Sequence, residues 1–208
     1  MKGICFIEPL FDQVVRGTKV QTRRIIDKED FLHGKNVTVE TTHDYRNAGQ
    51  VSVCAHFTHI SKGESFAGRP SKYKIGEILY LKEPFQLVKD DKTGETKPIY
   101  KYGPRGEANE QWKNKLSMPE RYARYFIKIT NIRADRLQNI SDEDCIKEGI
   151  YKLSFGWAYS YYEKYNDYIY MKDSPREAFM SLFAKINGAH TWFQNPFVWI
   201  YDFELVSK

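Results

Sequence analysis

"RYFIKITNIRADRL", residues 124–137, is the stretch on which the fold turns. Its isoleucines, threonine and aromatics suit a pleated, half-buried surface, and it is the strongest strand signal in the chain. "NISDEDCIKEGI", residues 139–150, follows as a short helix. Ser141 is its cap, Asp144 stands where a capping box would have glutamate, and Gly149 closes it. Upstream, "EILYLKE" is a compact strand ending in Lys82 and Glu83, preceded by a turn around Gly76. "QLVKDDKTGETKPIYKY" then reads as a hairpin with Asp91, Lys92, Thr93 and Gly94 at its tip. "QVSVCAHF" alternates as a strand should, after a turn at "RNAG". At the start, "GICFI" is a strand and "PLFDQVVRG" a helix stopped by Gly17. "TKVQTRRII" leaves that helix extended, its cations lining an edge. At the other end, "SPREAFMSLFAKING" is a helix capped by Ser174, with Ala178, Phe179, Leu182, Phe183 and Ile186 on one face. "PFVWIYDFELV" is the closing strand. Strands broken by so few helices predict one α+β domain around a small, partly closed β-barrel.

Composition sets the outer limits. The 208 residues are 41% hydrophobic and 15% aromatic, enough for a real core and against disorder. The net charge of +5 suits a polyanionic partner, although many proteins that never meet one share it. Cys5, Cys54 and Cys145 are odd in number and widely spaced, so neither a disulfide framework nor a zinc cluster is expected. No apolar run approaches the roughly 20 residues of a membrane span, and "MKGICFIEPLFDQ" turns acidic too soon for a signal peptide. The expectation is a cytoplasmic protein with no membrane contact. His56 and His59 would point to opposite faces of a strand, and the other histidines lack companions, so no metal is read. "GPRGEANEQ" lacks a phosphate-loop lysine, and no cofactor is implied.

Taken in order, "GTKVQTRRI", "GEILYLKEPF", "SMPERYARYFIKITNIRADRLQNISDEDCIKEGI" and "FQNPFVWIYDFELV" resemble the ASCH family, relatives of the PUA domain. They are most similar to the longer ASCH proteins of phages and prophage regions. The resemblance leaves residues 33–70, 86–116 and 151–173 as insertions. It implies a PUA-like barrel of about six strands with flanking helices, and a cleft that binds RNA or a nucleotide. In a small ASCH amidohydrolase that deacetylates acetylated cytidine, the working groups are a lysine, a threonine three residues later and a glutamate on the helix after the central strand. Lys19, Thr22 and Glu148 match these in type and order.

The residues argue the chemistry independently. A threonine hydroxyl attacks only when a base takes its proton, and a dehydrated lysine crowded by Arg16, Arg23 and Arg24 has the lowered pKa to serve. Glu148 orients that lysine or returns a proton to the leaving group. In a plain strand Lys19 and Thr22 would face opposite ways, so a turn or bulge is required. Arg23 and Arg24 offer planar paired donors to a phosphate or base edge. Lys82 and Glu83 form a second polar pair, suited to phosphate and to an exocyclic amine; their plainer reading is a surface ion pair. Arg121 and Arg124, in "MPERYAR", extend the basic surface or, more plainly, are solvated charges leading into a strand. The segment 151–171 carries seven tyrosines that either stack bases or pack a long loop. Three functions follow: an RNA- or nucleotide-binding module, an amidohydrolase of an acylated nucleoside, and a phage-type accessory protein with a protein partner. The oligomeric state is open.

Overall fold

The computed structural model describes residues 1–26, 37–47, 50–59, 65–102, 112–159 and 171–207. In chain order the elements are β1 (Lys2–Cys5), α1 (Glu8–Val15), β2 (Gln21–Ile25), β3 (Val37–Asn47), β4 (Gln50–His59), β5 (Ser65–Pro70), β6 (Ile78–Lys82), β7 (Phe85–Lys89), β8 (Thr96–Tyr100), β9 (Phe126–Arg136), α2 (Asp142–Lys147), β10 (Tyr151–Leu153), β11 (Gly156–Ala158), α3 (Pro175–Asn187), α4 (His190–Gln194) and β12 (Phe197–Val206). The fold is α+β. Among the described residues no helix is long and apolar enough to cross a membrane.

β9 lies in the middle of a five-stranded sheet of order β1-β6-β9-β12-β2. Its partner β12 has five successive buried residues, Phe197 to Tyr201, as expected of a strand covered on both faces. The β9–β12 register slips between Asp202 and Phe203, a bulge of the kind that re-aims side chains. β1 joins parallel to β6, and β2 joins antiparallel to β12, so β1 and β2 are the two edges. The barrel expected to have about six strands is here an open sheet: no ladder joins β1 to β2 among the described residues. The edges are bridged by a side chain instead, because Arg24 donates to the Cys5 carbonyl at 2.8 Å. Phe6, with Lys19 Nζ at 5.8 Å and the Arg24 guanidinium at 5.5 Å from its ring, stands in the same seam.

The helices close over the sheet as their apolar faces dictate. α1 has Pro9 in its first turn, buries Leu10, Phe11 and Val14, and ends at Gly17 in the left-handed region at φ 73°. Ser174 caps α3 by accepting from the Glu177 amide, and Ala178, Phe179, Leu182 and Phe183 are buried. Ile186, expected on that face, is 43% exposed at the helix end.

The described part of residues 33–70 is more than an addition to the surface. The sheet β3-β4-β5 sends Val53, Ala55 and Phe57 into the same core cluster as the central sheet, and Phe57 meets Phe197 at 5.0 Å. Phe57→Leu is expected to lower unfolding stability by about 1–2 kcal/mol through the cavity it leaves. A denaturation midpoint unchanged from wild type would show that this sheet folds apart from the core. The β7–β8 hairpin is exposed at its tip, where Asp90 accepts from the Lys92 and Thr93 amides, as the sequence predicts. In the tyrosine-rich stretch, Trp157 and Tyr159 pack against the core, while Tyr161, Tyr162, Tyr165, Tyr168 and Tyr170 lie outside the described residues. The turn read at 46–49 lies partly outside them too.

Candidate functional site

The sequence places Lys19 just before β2 begins, and the local turn decides where it points. The last turn of α1 leaves the Gln13 carbonyl free, and it accepts from the Thr18 amide, the Lys19 amide and the Thr18 hydroxyl at 2.9–3.1 Å. The chain therefore bends through 17–19, and strand alternation starts only at Gln21. Lys19 and Thr22 consequently line one cavity, although no hydrogen bond joins Lys19 Nζ to Thr22 Oγ1.

α2 brings the third residue. Ser141 caps it by accepting from the Asp144 amide, and Gly149 at φ 99° ends it, where a Cβ would run into the Gln13 side chain. The end of a helix leaves carbonyls without partners. Here Val20 donates its amide to the Lys147 carbonyl at 2.9 Å, and Lys19 Nζ donates to the Glu148 carbonyl at 2.6 Å. Lys19 Nζ also donates to Glu148 Oε2 and to the Gln21 carbonyl, each at 2.7 Å, so its three hydrogens are engaged when it is charged. Lys19 is 1% exposed. Burial pushes its pKa below the ordinary lysine value; the Glu148 charge and hydrogen bond oppose this, and Arg24 and Arg23 add to it.

Arg23 differs from the sequence expectation. It is buried, with its terminal nitrogens donating to Asp144 Oδ2 at 2.7 Å, to Glu148 Oε1 at 3.2 Å and to the Gln21 side chain. Such a guanidinium is neutralised internally and does not present its fork to a phosphate. Its Nε is buried without a hydrogen-bond partner among the described residues.

A wider network holds this arrangement. Asp144 also accepts from Gln21 Nε2 at 3.2 Å and from Arg133, and it lies 3.5 Å from Lys147 Nζ. Asp202, beside the bulge, accepts from Gln21 at 2.6 Å and from Asn131 and Arg133 at 3.2 Å. Burial raises the Asp144 pKa, but the hydrogen bond and charge of Arg23, with Arg133, outweigh it and hold the carboxyl below the usual range. Gln21, Arg133, Asp144 and Asp202 were not among the sequence candidates. One signal was legible: Gln21 and Arg23 are two apart on a strand and share a face. Asp202 becomes Gln21's neighbour only through the β2–β12 register.

The cavity holds about 200 Å³. Lys19, Thr22, Arg23, Arg24, Lys115 and Glu148 make its polar side, and Phe6, Leu10, Phe179, Leu182, Phe183 and Ile186 its apolar side. Thr22 Oγ1 forms no hydrogen bond with the described residues, and Lys115 is tied to the Phe6 carbonyl at 2.9 Å.

The predicted pair of Lys82 and Glu83 is separated. Lys82 donates to the Leu116 carbonyl at 2.9 Å and lines a second cavity. Glu83 turns the other way, is fully buried, and accepts from Arg124 Nε at 3.0 Å and NH2 at 2.6 Å. Burial raises the Glu83 carboxyl above its usual value, and the fork of Arg124 opposes that rise. Glu83 lines neither cavity, because a carboxylate in an apolar setting takes the nearest bidentate partner. Arg124, read from sequence as a solvated charge, is that partner. Arg121 is exposed and lies over the Tyr122 ring at 4.8 Å.

No protein-family model, curated protein or solved structure matches the chain.

Proposed function

We propose that this is an ASCH-like, PUA-related protein whose β1–β2 seam is the mouth of an incompletely closed barrel, and that it hydrolyses an acyl amide on a nucleoside such as acetylated cytidine. The observation that carries the reading is the gathering of Lys19, Thr22 and Glu148 around one small cavity, with Lys19 Nζ held 2.7 Å from Glu148. The apolar wall of Phe6, Phe179 and Phe183 suits a flat heteroaromatic ring. A plain RNA-binding surface is less well supported at this cluster. Its four cations, Lys19, Arg23, Arg133 and Lys147, meet three carboxylates, Asp144, Glu148 and Asp202, which leaves little net charge.

Neutral Lys19 takes the Thr22 hydroxyl proton as Oγ attacks the acyl carbon. The guanidinium groups that line the cavity, Arg23 and Arg24, supply positive charge beside the carbonyl oxygen as it gains charge. The carbon–nitrogen bond breaks, and the Lys19 ammonium returns the proton to the departing exocyclic nitrogen. Water then attacks the threonyl ester, giving a proton to Lys19, and the carboxylic acid leaves as Thr22 regains its hydrogen. Glu148, paired with Lys19 throughout, orients the amine and is a positioning residue.

The test is incubation of the full chain with acetylated cytidine and other acylated nucleosides, followed by chromatography. Cytidine and acetate are expected in equal amounts. Absence of turnover with every acylated nucleoside overturns the hydrolase and leaves a binding module.

A further inference from the structure

On the other side of Arg24 lies a second cavity of about 560 Å³, within the range of small-molecule sites. It runs between β1 and the strands β2 and β12, and shares Cys5 and Arg24 with the inner cavity. Arg24, Lys72 and Lys82 stand on its walls with the rings of Tyr73, Trp199 and Tyr201, and among the described residues no carboxylate lines it. Among the described residues none of these three cations has a carboxylate partner. Arg24 and Lys82 are held by neutral carbonyls, those of Cys5 and Leu116, which fix direction without cancelling charge. The nearby Glu77 is paired with Lys2.

Gly3 supplies an independent sign that Lys82 is placed for this cavity. A Cβ on Gly3 would come within 2.4 Å of Lys82 Cε and 2.8 Å of the Tyr80 ring, so the lysine stem as placed lies across the bare backbone of β1. Three like charges around one concavity repel one another, and an anion with several acceptor oxygens relieves this by charge-assisted hydrogen bonds. The inner cavity differs: there Lys19 and Arg23 are matched by carboxylates, whereas here none of the three cations is, among the described residues.

We propose that the second cavity is a phosphate subsite, and that the molecule whose acyl group enters the inner cavity is a nucleotide whose phosphate lies against Arg24, Lys72 and Lys82. The proposal rests on the reading of the inner cavity as an acyl-nucleoside site. Arg24 and Cys5 line both cavities, so a mononucleotide that spans them crosses the seam where Arg24 meets the Cys5 carbonyl.

Calorimetric titration of the full chain with cytidine, cytidine 5′-monophosphate, inorganic pyrophosphate and a tetracytidylate, at one ionic strength, tests it without requiring turnover. The monophosphate is expected to bind about tenfold or more tighter than cytidine. In Lys72→Gln/Lys82→Gln, checked for an unchanged thermal midpoint, that preference should fall towards unity and pyrophosphate binding should weaken. Pyrophosphate binding that needs the lysines, with neither cytidine nor its monophosphate bound, keeps the anion site and discards the acyl-nucleoside reading. Equal affinity for cytidine and its monophosphate, a preference that survives the double substitution, or no binding of any phosphate compound overturns the proposal. A tetracytidylate bound far more tightly than the monophosphate overturns the mononucleotide and assigns the subsite to an RNA backbone.

Discussion

Thr22→Ala is expected to lower kcat/KM on acetylated cytidine by about 10³-fold or more, with a thermal midpoint close to wild type. The split between activity and stability follows from the structure. Thr22 Oγ1 forms no hydrogen bond with the described residues, so removing it leaves no described partner unsatisfied. Its chemical role has no substitute at the cavity wall, whereas Thr22→Ser keeps the hydroxyl and should retain much of the rate. The pH profile tests the base separately. As the proposed base Lys19 acts only when neutral, and burial chiefly holds its pKa below the ordinary lysine value of 10.5. Activity should rise with pH and level off at a pH lower than a free lysine would set. A rate that survives Thr22→Ala, or that falls as pH rises through this limb, would remove both assignments.

The second large effect is on stability. Lys19→Met removes the partner of a buried carboxylate and is expected to cost about 3–5 kcal/mol, because Glu148 then keeps its burial with only the 3.2 Å contact to Arg23. Adding Glu148→Leu should recover most of that loss. An apolar pair of similar volume needs no counter-charge, and Arg23 retains Asp144 and Gln21. Urea denaturation of wild type, the single variant and the double variant measures the coupling directly. If the two changes simply add, the Lys19–Glu148 pair does not hold α2 against the start of β2, and the inner cavity is organised by something else.

How much of this was legible in the sequence differs by kind of residue. The strand at 126–136, the cap at Ser141, the stop at Gly17 and the apolar face of α3 are local matters. Each depends on propensities and spacings within a few residues, and each appears where the sequence indicates. The roles of the charges were not local. Arg23 and Arg24 are neighbours of the same type, yet strand alternation sends Arg23 into a buried cluster with Asp144 and Glu148, while Arg24 crosses the seam to Cys5. Glu83 and Arg124 are 41 residues apart and pair because both are carried to the same buried place. The sheet β3-β4-β5 was readable as strands, but its contribution of Phe57 to the core was not, since burial is a property of what lies opposite. By itself the sequence determined the elements, their caps and the residue types available for chemistry. Only the tertiary structure decided which charges cancel, which remain without a counter-charge beside a cavity, and that the sheet stays open at β1 and β2, because Coulomb interaction and desolvation depend on distances through space and not along the chain.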